Sequence, residues 1–147
     1  MSQGLAHYEI KNKTATVTID NPPMNALDVT TKEIIGKVFI ELDDYRKKIR
    51  AVIIHGAGDK AFAAGADIKT FLGLKPDTAK RRLLRSHQIY AIVKKFEWPV
   101  IAAIHGFCLG AGLELEVDLW ANITATEDMK EGAQAFLEKR EPKYKCK

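Results

Sequence analysis

The sequence is poor in cysteine and contains no long hydrophobic run. Its two cysteines, Cys108 and Cys146, stand in unrelated contexts, which excludes a disulfide framework and a cysteine-based metal site and favours a reducing compartment. The opening MSQGLAHYEI lacks the apolar stretch of a secretory signal, and no segment approaches the roughly 18 apolar residues of a membrane span. We therefore expect a cytoplasmic protein with no membrane partner and no bound metal.

A strong charge of either sign is also missing. The formal net charge is +4, which is too small to indicate nucleic-acid binding, and a composition of 46% hydrophobic and 29% charged residues is ordinary for a globular domain. Basic residues concentrate only in the final EKREPKYKCK. That segment is either a solvated tail or a contact for a polyanionic ligand.

Hydrophobic periodicity predicts strands that alternate with helices. TATVTID alternates as a half-buried strand does, whereas RAVIIHG and PVIAAIHG are apolar runs typical of strands buried on both faces. Helices are predicted from Thr30, with Thr30 and Glu33 as a capping box, from about Asp77, from Ala111, and over 127–140. The inward face of the second helix is predicted to hold Leu83, Leu84, His87, Tyr90, Val93 and Phe96. This alternation implies an α/β fold with a mainly parallel sheet.

Two stretches of small residues follow predicted strands, AFAAGADIK at 61–69 and GFCLGAGLE at 106–114. Ligands of parallel α/β sheets bind at the carboxyl ends of the strands, and small side chains allow a ligand to approach the backbone. One backbone N–H from each stretch would form an oxyanion hole. Glu114 lies in the first turn of the following helix, within reach of such a site, although helix stabilisation is the simpler role for an isolated glutamate there.

Other chemistries have weaker signals. HGAGDKA at 55–61 matches G-x-G-x-x-A after a strand, but a dinucleotide site also needs a helix to begin at that turn, and no amphipathic period follows it. His55, His87 and His105 have no serine or cysteine nucleophile in a suitable context, and no G-x-S-x-G occurs. We interpret His105 as a satisfied core histidine at the end of a buried strand.

Three segments in order, NPPMNALD, AFAAGADIK and PVIAAIHGFCLGAGLEL, closely resemble the crotonase family, the enoyl-CoA hydratase/isomerase superfamily. The resemblance covers residues 1 to about 115 and returns in the final helix. It implies an α/β crotonase-like fold of ββα-type repeats, incomplete relative to the whole family fold. Residues 1–119 would form the N-terminal core with the CoA and oxyanion-hole loops, and residues 120–147 a C-terminal helix and basic tail.

The resemblance also implies a set of site residues. The oxyanion hole would be made by the amides of Ala66 and Ala111, with Glu114 as one of two catalytic glutamates that hydrate a 2-enoyl-CoA in fatty-acid β-oxidation. Coenzyme A would enter as part of the acyl-CoA substrate, with no permanently bound cofactor, and the chain would form a homo-oligomer, a trimer or hexamer. The residues implied to contact CoA are Met24, Ala26, Ala64, Ala66, Asp67, Ile68, Lys69, Phe136 and Lys139.

The sequence departs from the family in length. Members are nearly twice as long, and the region that would carry the second catalytic glutamate, in a turn rich in Gly, Pro and Gln-Arg, has no counterpart between Leu115 and Ala125. Two functions therefore stay open: an active lyase of the enoyl-CoA hydratase type, and an impaired acyl-CoA-binding or subunit-assembly chain. The shortened chain is also expected to expose apolar surface that the missing region would cover.

Overall fold

A computed structural model describes residues 5–67, 73–112, 127, 131, 134–135 and 138–143 of the chain. The strands are β1 (Ala6–Lys11), β2 (Thr14–Ile19), β3 (Ala51–Gly56), β4 (Ala61–Ala63), β5 (Val100–Ala102) and β6 (Phe107–Cys108). The helices with defined bounds are α1 (Val29–Asp43) and α2 (Pro76–Lys94). None of the helices within the described ranges combines the length and apolar character needed to cross a membrane.

The main sheet has the strand order β1-β2-β3-β5. β1 and β2 form an antiparallel hairpin whose two-residue loop, Asn12 and Lys13, has φ values of 50° and 63°, as a type I′ turn requires. β2, β3 and β5 run parallel, as predicted, because α1 and α2 supply the crossovers between them. The predicted alternation of β2 is confirmed, since Ala15, Val17 and Ile19 are fully buried.

Two strands predicted to be buried on both faces are not. In β3 only every second residue is buried, and in β5 the side chain of Ile101 is 43% exposed. The physical reason is that both helices cover the same part of the core, while β5 is an edge strand of the sheet. Apolar side chains more than two-fifths exposed continue past β5 at Ile104, Phe107 and Leu109. The expectation of exposed apolar surface is therefore confirmed for this part of the chain.

Helix α1 begins at Val29, one residue before its predicted start at Thr30. Its N-cap is Asp28, whose carboxylate accepts a hydrogen bond from Thr31 N at 2.7 Å, so the capping box of Thr30 and Glu33 was wrong. Glu33 instead accepts two hydrogen bonds from the Arg85 guanidinium of α2, at 2.6 and 2.7 Å. That guanidinium lowers the pKa of the Glu33 carboxyl from its ordinary value. The ion pair joins α1 to α2.

The inward face of α2 was predicted only in part. Tyr90 and Val93 are buried, and Ile89 is buried beside them, but Leu83 and Leu84 are about half exposed. The described contacts of α2 explain this, because its packing partner is α1, and only the later turns reach the core. The helices approach closely at Gly36, where an added Cβ would lie 3.4 Å from Ile89 Cγ2. His87 is also exposed, and Phe96 is half-buried.

Candidate functional site

The two small-residue stretches meet in a second, two-stranded sheet. β4 and β6 pair in parallel, with Ala61 opposite Phe107 and Ala63 opposite Cys108. We call Ala64–Asp67, which follows β4, the first turn, and Leu109–Gly112, which follows β6, the second turn. Leu109 N donates to Ala63 O at 3.0 Å, so the hydrogen bonding of the strands continues into the turns. The sequence predicted both turns; it did not predict the short strands that bring them together.

Glycines make the close approach of the turns sterically feasible. Gly65 has φ +93°, and an added Cβ would lie 2.9 Å from Leu109 O. Gly110 has φ +51°, and its added Cβ would lie 3.7 Å from Gly65 Cα. A Cβ on Gly112 would meet Ala63 O at 2.6 Å. A larger residue at Gly65 would force the two turns apart, and one at Gly112 would push the second turn away from β4, whereas the contact at Gly110 is an ordinary van der Waals distance.

The loop after β2 is joined to the first turn by backbone hydrogen bonds. Ala64 N donates to Met24 O at 3.0 Å, and Leu27 N donates to Gly65 O at 2.8 Å. Met24, Ala26, Ala64, Ala66 and Asp67, all implied by the resemblance to contact CoA, therefore lie in two adjoining segments, and each is half-buried. Ile68 and Lys69 continue the first turn but lie outside the described residues.

Asn25 is a residue that sequence reasoning missed. Its side chain is buried, and Nδ2 donates to Ala57 O at 2.9 Å and to Ala61 O at 2.7 Å. Its Oδ1 accepts from Asn21 N at 3.2 Å. With φ 54°, Asn25 adopts the left-handed conformation that asparagine tolerates better than most residues. The position of one asparagine within NPPMN is the available signal, but its partners are distant in sequence.

Tyr90 connects α2 to the second turn. Its hydroxyl donates to Ala111 O at 3.2 Å, and the side chain is only 4% exposed. The Nζ of Lys32, in α1, lies 5.7 Å from the centre of the Tyr90 ring. Periodicity had predicted Tyr90 to be buried but gave no reason to connect its hydroxyl with the turn.

The hydrogen-bond donors of the two turns are backbone amides. Within the described ranges, backbone hydrogen bonds use the amides of Ala64, Leu109 and Gly112, and the other amides of the two turns, those of Ala66 and Ala111 among them, have no backbone acceptor. Ala111 is 7% exposed and begins a helical turn with Gly112. Two such N–H groups, one from each turn and neither with a backbone acceptor among the residues that the structure describes, can together hold an oxygen that carries negative charge.

The other predicted site residues lie in the C-terminal half of the chain. Glu114 and Phe136 fall outside the described residues. Lys139 is exposed, with φ 53°, and Arg140 N donates to Ala135 O at 3.0 Å, which is the Schellman pattern of a helix end. The Arg140 guanidinium, with the Lys143 amide, lowers the pKa of the Glu131 carboxyl to about 2.

Two other predictions concern histidine and dinucleotide chemistry. His105 follows the end of β5 rather than terminating it, and its buried Nε2 has no hydrogen-bond partner, so its interpretation as a satisfied core histidine was wrong. The turn at 57–60 leads into β4 and not into a helix, which removes the dinucleotide alternative. No group of three or more His, Cys, Asp or Glu able to hold a metal occurs among the residues that the structure describes.

Comparison with known proteins identifies the family. Residues 9–118 match the Enoyl-CoA hydratase/isomerase family. A Bacillus subtilis protein named as a probable enoyl-CoA hydratase is 41% identical over 119 residues, covering 80% of this chain and 45% of the relative. A short-chain-enoyl-CoA hydratase of Clostridium acetobutylicum is 35% identical over 108 residues, 73% of this chain and 41% of the relative.

Solved structures agree with this assignment. The crystal structure of an enoyl-CoA hydratase/carnithine racemase from Magnetospirillum magneticum superposes with a TM-score of 0.75 at 38% identity, covering 80% of this chain and 45% of that one. The chain thus spans less than half the length of these relatives, and the predicted α/β crotonase-like fold is confirmed over the part it covers. The chain belongs to the enoyl-CoA hydratase/isomerase family.

Proposed function

We propose that this chain binds acyl-CoA thioesters and holds the thioester oxygen between the amides of Ala66 and Ala111. The observation that carries the proposal is the pair of adjoining turns, each of which contributes one of these amides with no backbone acceptor in the described part of the chain. Family membership supports the thioester as ligand, since relatives of this chain are named as enoyl-CoA hydratases. Backbone donors need no functional side chain, which is consistent with alanine at both positions.

The proposed chemistry is hydration of a 2-enoyl-CoA, as in fatty-acid β-oxidation. Addition of water to the double bond places negative charge on the thioester oxygen, and the two N–H groups stabilise the resulting enolate. Loss of one such donor lowers the rate of an enzyme by about 10²–10³-fold. Glu114, four residues after Gly110 in the sequence, is the side chain proposed to transfer a proton to or from the reacting water.

The remaining CoA contacts are assigned on the same basis. The half-buried Met24 and Ala26, with the segment from Ala64 to Lys69, would receive the nucleotide part, because hydrogen bonds join the two segments. Phe136 and Lys139 would reach CoA from a neighbouring subunit of a trimer or hexamer. We propose no permanently bound cofactor and a cytoplasmic location.

A second candidate is an acyl-CoA-binding or assembly chain without turnover. Its support is the length of the chain, which covers 45% of the Bacillus subtilis relative, and the lack of a second glutamate in a suitable context between Leu115 and Ala125. The exposed apolar side chains of Ile101, Ile104, Phe107 and Leu109 give such a chain a surface for a complementary subunit. Binding through the two turns would be the same in both candidates.

Hydration of crotonyl-CoA by the purified chain separates the candidates. For an active hydratase, we expect a rate above background that falls about 10²–10⁴-fold in Glu114→Gln. The exposed Glu97, which precedes Trp98, provides the matched control, and Glu97→Gln should leave the rate unchanged. Background rates in all three proteins, together with retained binding of acetoacetyl-CoA, would select the second candidate. Loss of binding as well would contradict both.

A further inference from the structure

We infer that Tyr90 is a positioning residue for the second turn, and that it sets the direction of the Ala111 N–H group. This inference rests on the proposed function, in which that N–H contacts the thioester oxygen. The Tyr90 hydroxyl donates to Ala111 O at 3.2 Å in a buried contact, so one hydrogen bond restrains the residue that carries the proposed donor. Tyr90 itself does not need to touch the substrate.

The backbone hydrogen bonds on either side of Ala111 show why the Tyr90 hydroxyl is needed to fix the conformation of this residue. Before Ala111, Leu109 N is held by Ala63 O, and after it, Gly112 N donates to Leu109 O at 3.0 Å. Between these points lies Gly110, with φ +51°, and glycine gives the backbone the most rotational freedom of any residue. The hydrogen bond to Ala111 O restrains the Ala111–Gly112 peptide, which the Ala111 Cα joins to the peptide that carries the Ala111 N–H.

The position of Tyr90 is itself fixed by helix packing. Its neighbour Ile89 packs against Gly36 of α1, where an added Cβ would lie 3.4 Å from Ile89 Cγ2. Arg85, one turn earlier in α2, makes two hydrogen bonds to Glu33 of α1. Lys32 adds a hydrogen bond from Nζ to Ser86 Oγ at 3.1 Å. The hydroxyl therefore projects from a helix whose placement does not depend on the second turn.

The test replaces one hydroxyl and compares two ligands. In Tyr90→Phe, we expect acetoacetyl-CoA to bind about 10-fold more weakly, since one charge-assisted hydrogen bond loses its geometry. Coenzyme A, which has no acyl oxygen, should bind with unchanged affinity. Tyr8→Phe is the matched control, because the Tyr8 ring contacts Tyr45, with ring centres 6.4 Å apart, and not either turn. The affinities of Tyr8→Phe for acetoacetyl-CoA and for coenzyme A should both be unchanged. If Tyr90→Phe bound both ligands more weakly by the same factor, or bound both with unchanged affinity, the inference would be overturned.

A measurement without ligand separates this inference from the proposed function. Hydrogen exchange of the Gly112 amide, which donates to Leu109 O, should accelerate in Tyr90→Phe and stay unchanged in Tyr8→Phe; unchanged exchange in both would overturn the positioning role. Incorporation of 3-fluorotyrosine provides a second variant that keeps the hydroxyl and makes it a stronger donor. The carbonyl carbon resonance of Ala111 is expected to shift in that protein, and an unmoved resonance would contradict the hydrogen bond. If the unmodified chain fails to bind acetoacetyl-CoA while exchange responds as expected, only the proposed function fails.

Discussion

The two turns of the site are held in place by different means. The first turn is fixed by two backbone hydrogen bonds to the loop after β2, from Ala64 N to Met24 O and from Leu27 N to Gly65 O. The second turn has a backbone bond at its entrance, and the hydroxyl of Tyr90 restrains Ala111 from α2. Side-chain substitutions should therefore disturb the second turn directly, and the first turn only through residues that hold its neighbouring loop.

The comparison predicts its largest effect on ligand binding where an amide itself is removed. Ala111→Pro deletes the N–H of the second turn at the start of a helical turn, a position where proline fits because that N–H has no intrahelical acceptor. We expect acetoacetyl-CoA to bind roughly 10- to 100-fold more weakly, the loss of one hydrogen bond to a charged group. Calorimetric titration measures this. Ala111→Gly, which keeps the N–H, should retain most of the affinity, and equal affinities in the two variants would exclude Ala111 as a donor.

The largest effect on folding stability should come from the loop that supports the first turn. Asn25→Ala leaves the buried Ala61 O and the neighbouring Ala57 O without their amide donor, which we expect to lower the free energy of unfolding by about 2–4 kcal/mol. Urea denaturation measures the change. Asn12→Ala is the matched control, because Asn12 has a similar φ of 50° but is exposed in the β1–β2 turn. Similar losses in both variants would show that the cost comes from positive φ and not from the hydrogen bonds of Asn25.

Glycine substitutions test how closely the two turns approach each other. Gly65→Ala places a Cβ 2.9 Å from Leu109 O, while the nearest atom to a Cβ on Gly110 is 3.7 Å away. Both variants bear the strain of positive φ, but only Gly65→Ala adds an overlap, so it should be less stable than Gly110→Ala by about 1–3 kcal/mol. Thermal unfolding of the two proteins in parallel tests the difference. Equal stabilities would mean that the turns are farther apart than described.

The smallest effect is expected away from both turns, in the C-terminal segment. The Glu131 carboxyl has a pKa of about 2, below the ordinary value of about 4.3, because Arg140 and the Lys143 amide hold its charged form. Since the folded-state pKa is lowered, the stabilisation is present above about pH 4.3 and is lost as the pH falls towards 2. Arg140→Gln should raise the pKa in an NMR titration, whereas Arg81→Gln on α2 should leave it unmoved. An unchanged pKa in Arg140→Gln would contradict the ion pair.

The sequence predicted features that depend on local pattern. Alternation identified β2, and the 3.6-residue period placed Tyr90 and Val93 on the buried face of α2. The small-residue turns were visible because closely approaching backbones need alanine and glycine in a compact run. The family resemblance, resting on three segments, then assigned roles to these turns.

Features that depend on distant partners were missed. Asn25 acts through acceptors 32 and 36 residues away, which no local window contains. Leu83 and Leu84 satisfy a helical period but are exposed because the first turns of α2 do not reach the core. Strands β4 and β6, three and two residues long, are too short for a periodic pattern and exist only because they pair with each other.

The central claim, that the two turns bind an acyl-CoA thioester, is tested most directly by thermal unfolding of the chain with acetoacetyl-CoA, with coenzyme A and without ligand, at one protein concentration. A ligand that binds only the folded state adds about 2.7 kcal/mol of stability at 100 times its Kd. The account predicts a cooperative transition that acetoacetyl-CoA raises further than coenzyme A at equal concentration. A cooperative transition that neither ligand moves would contradict it.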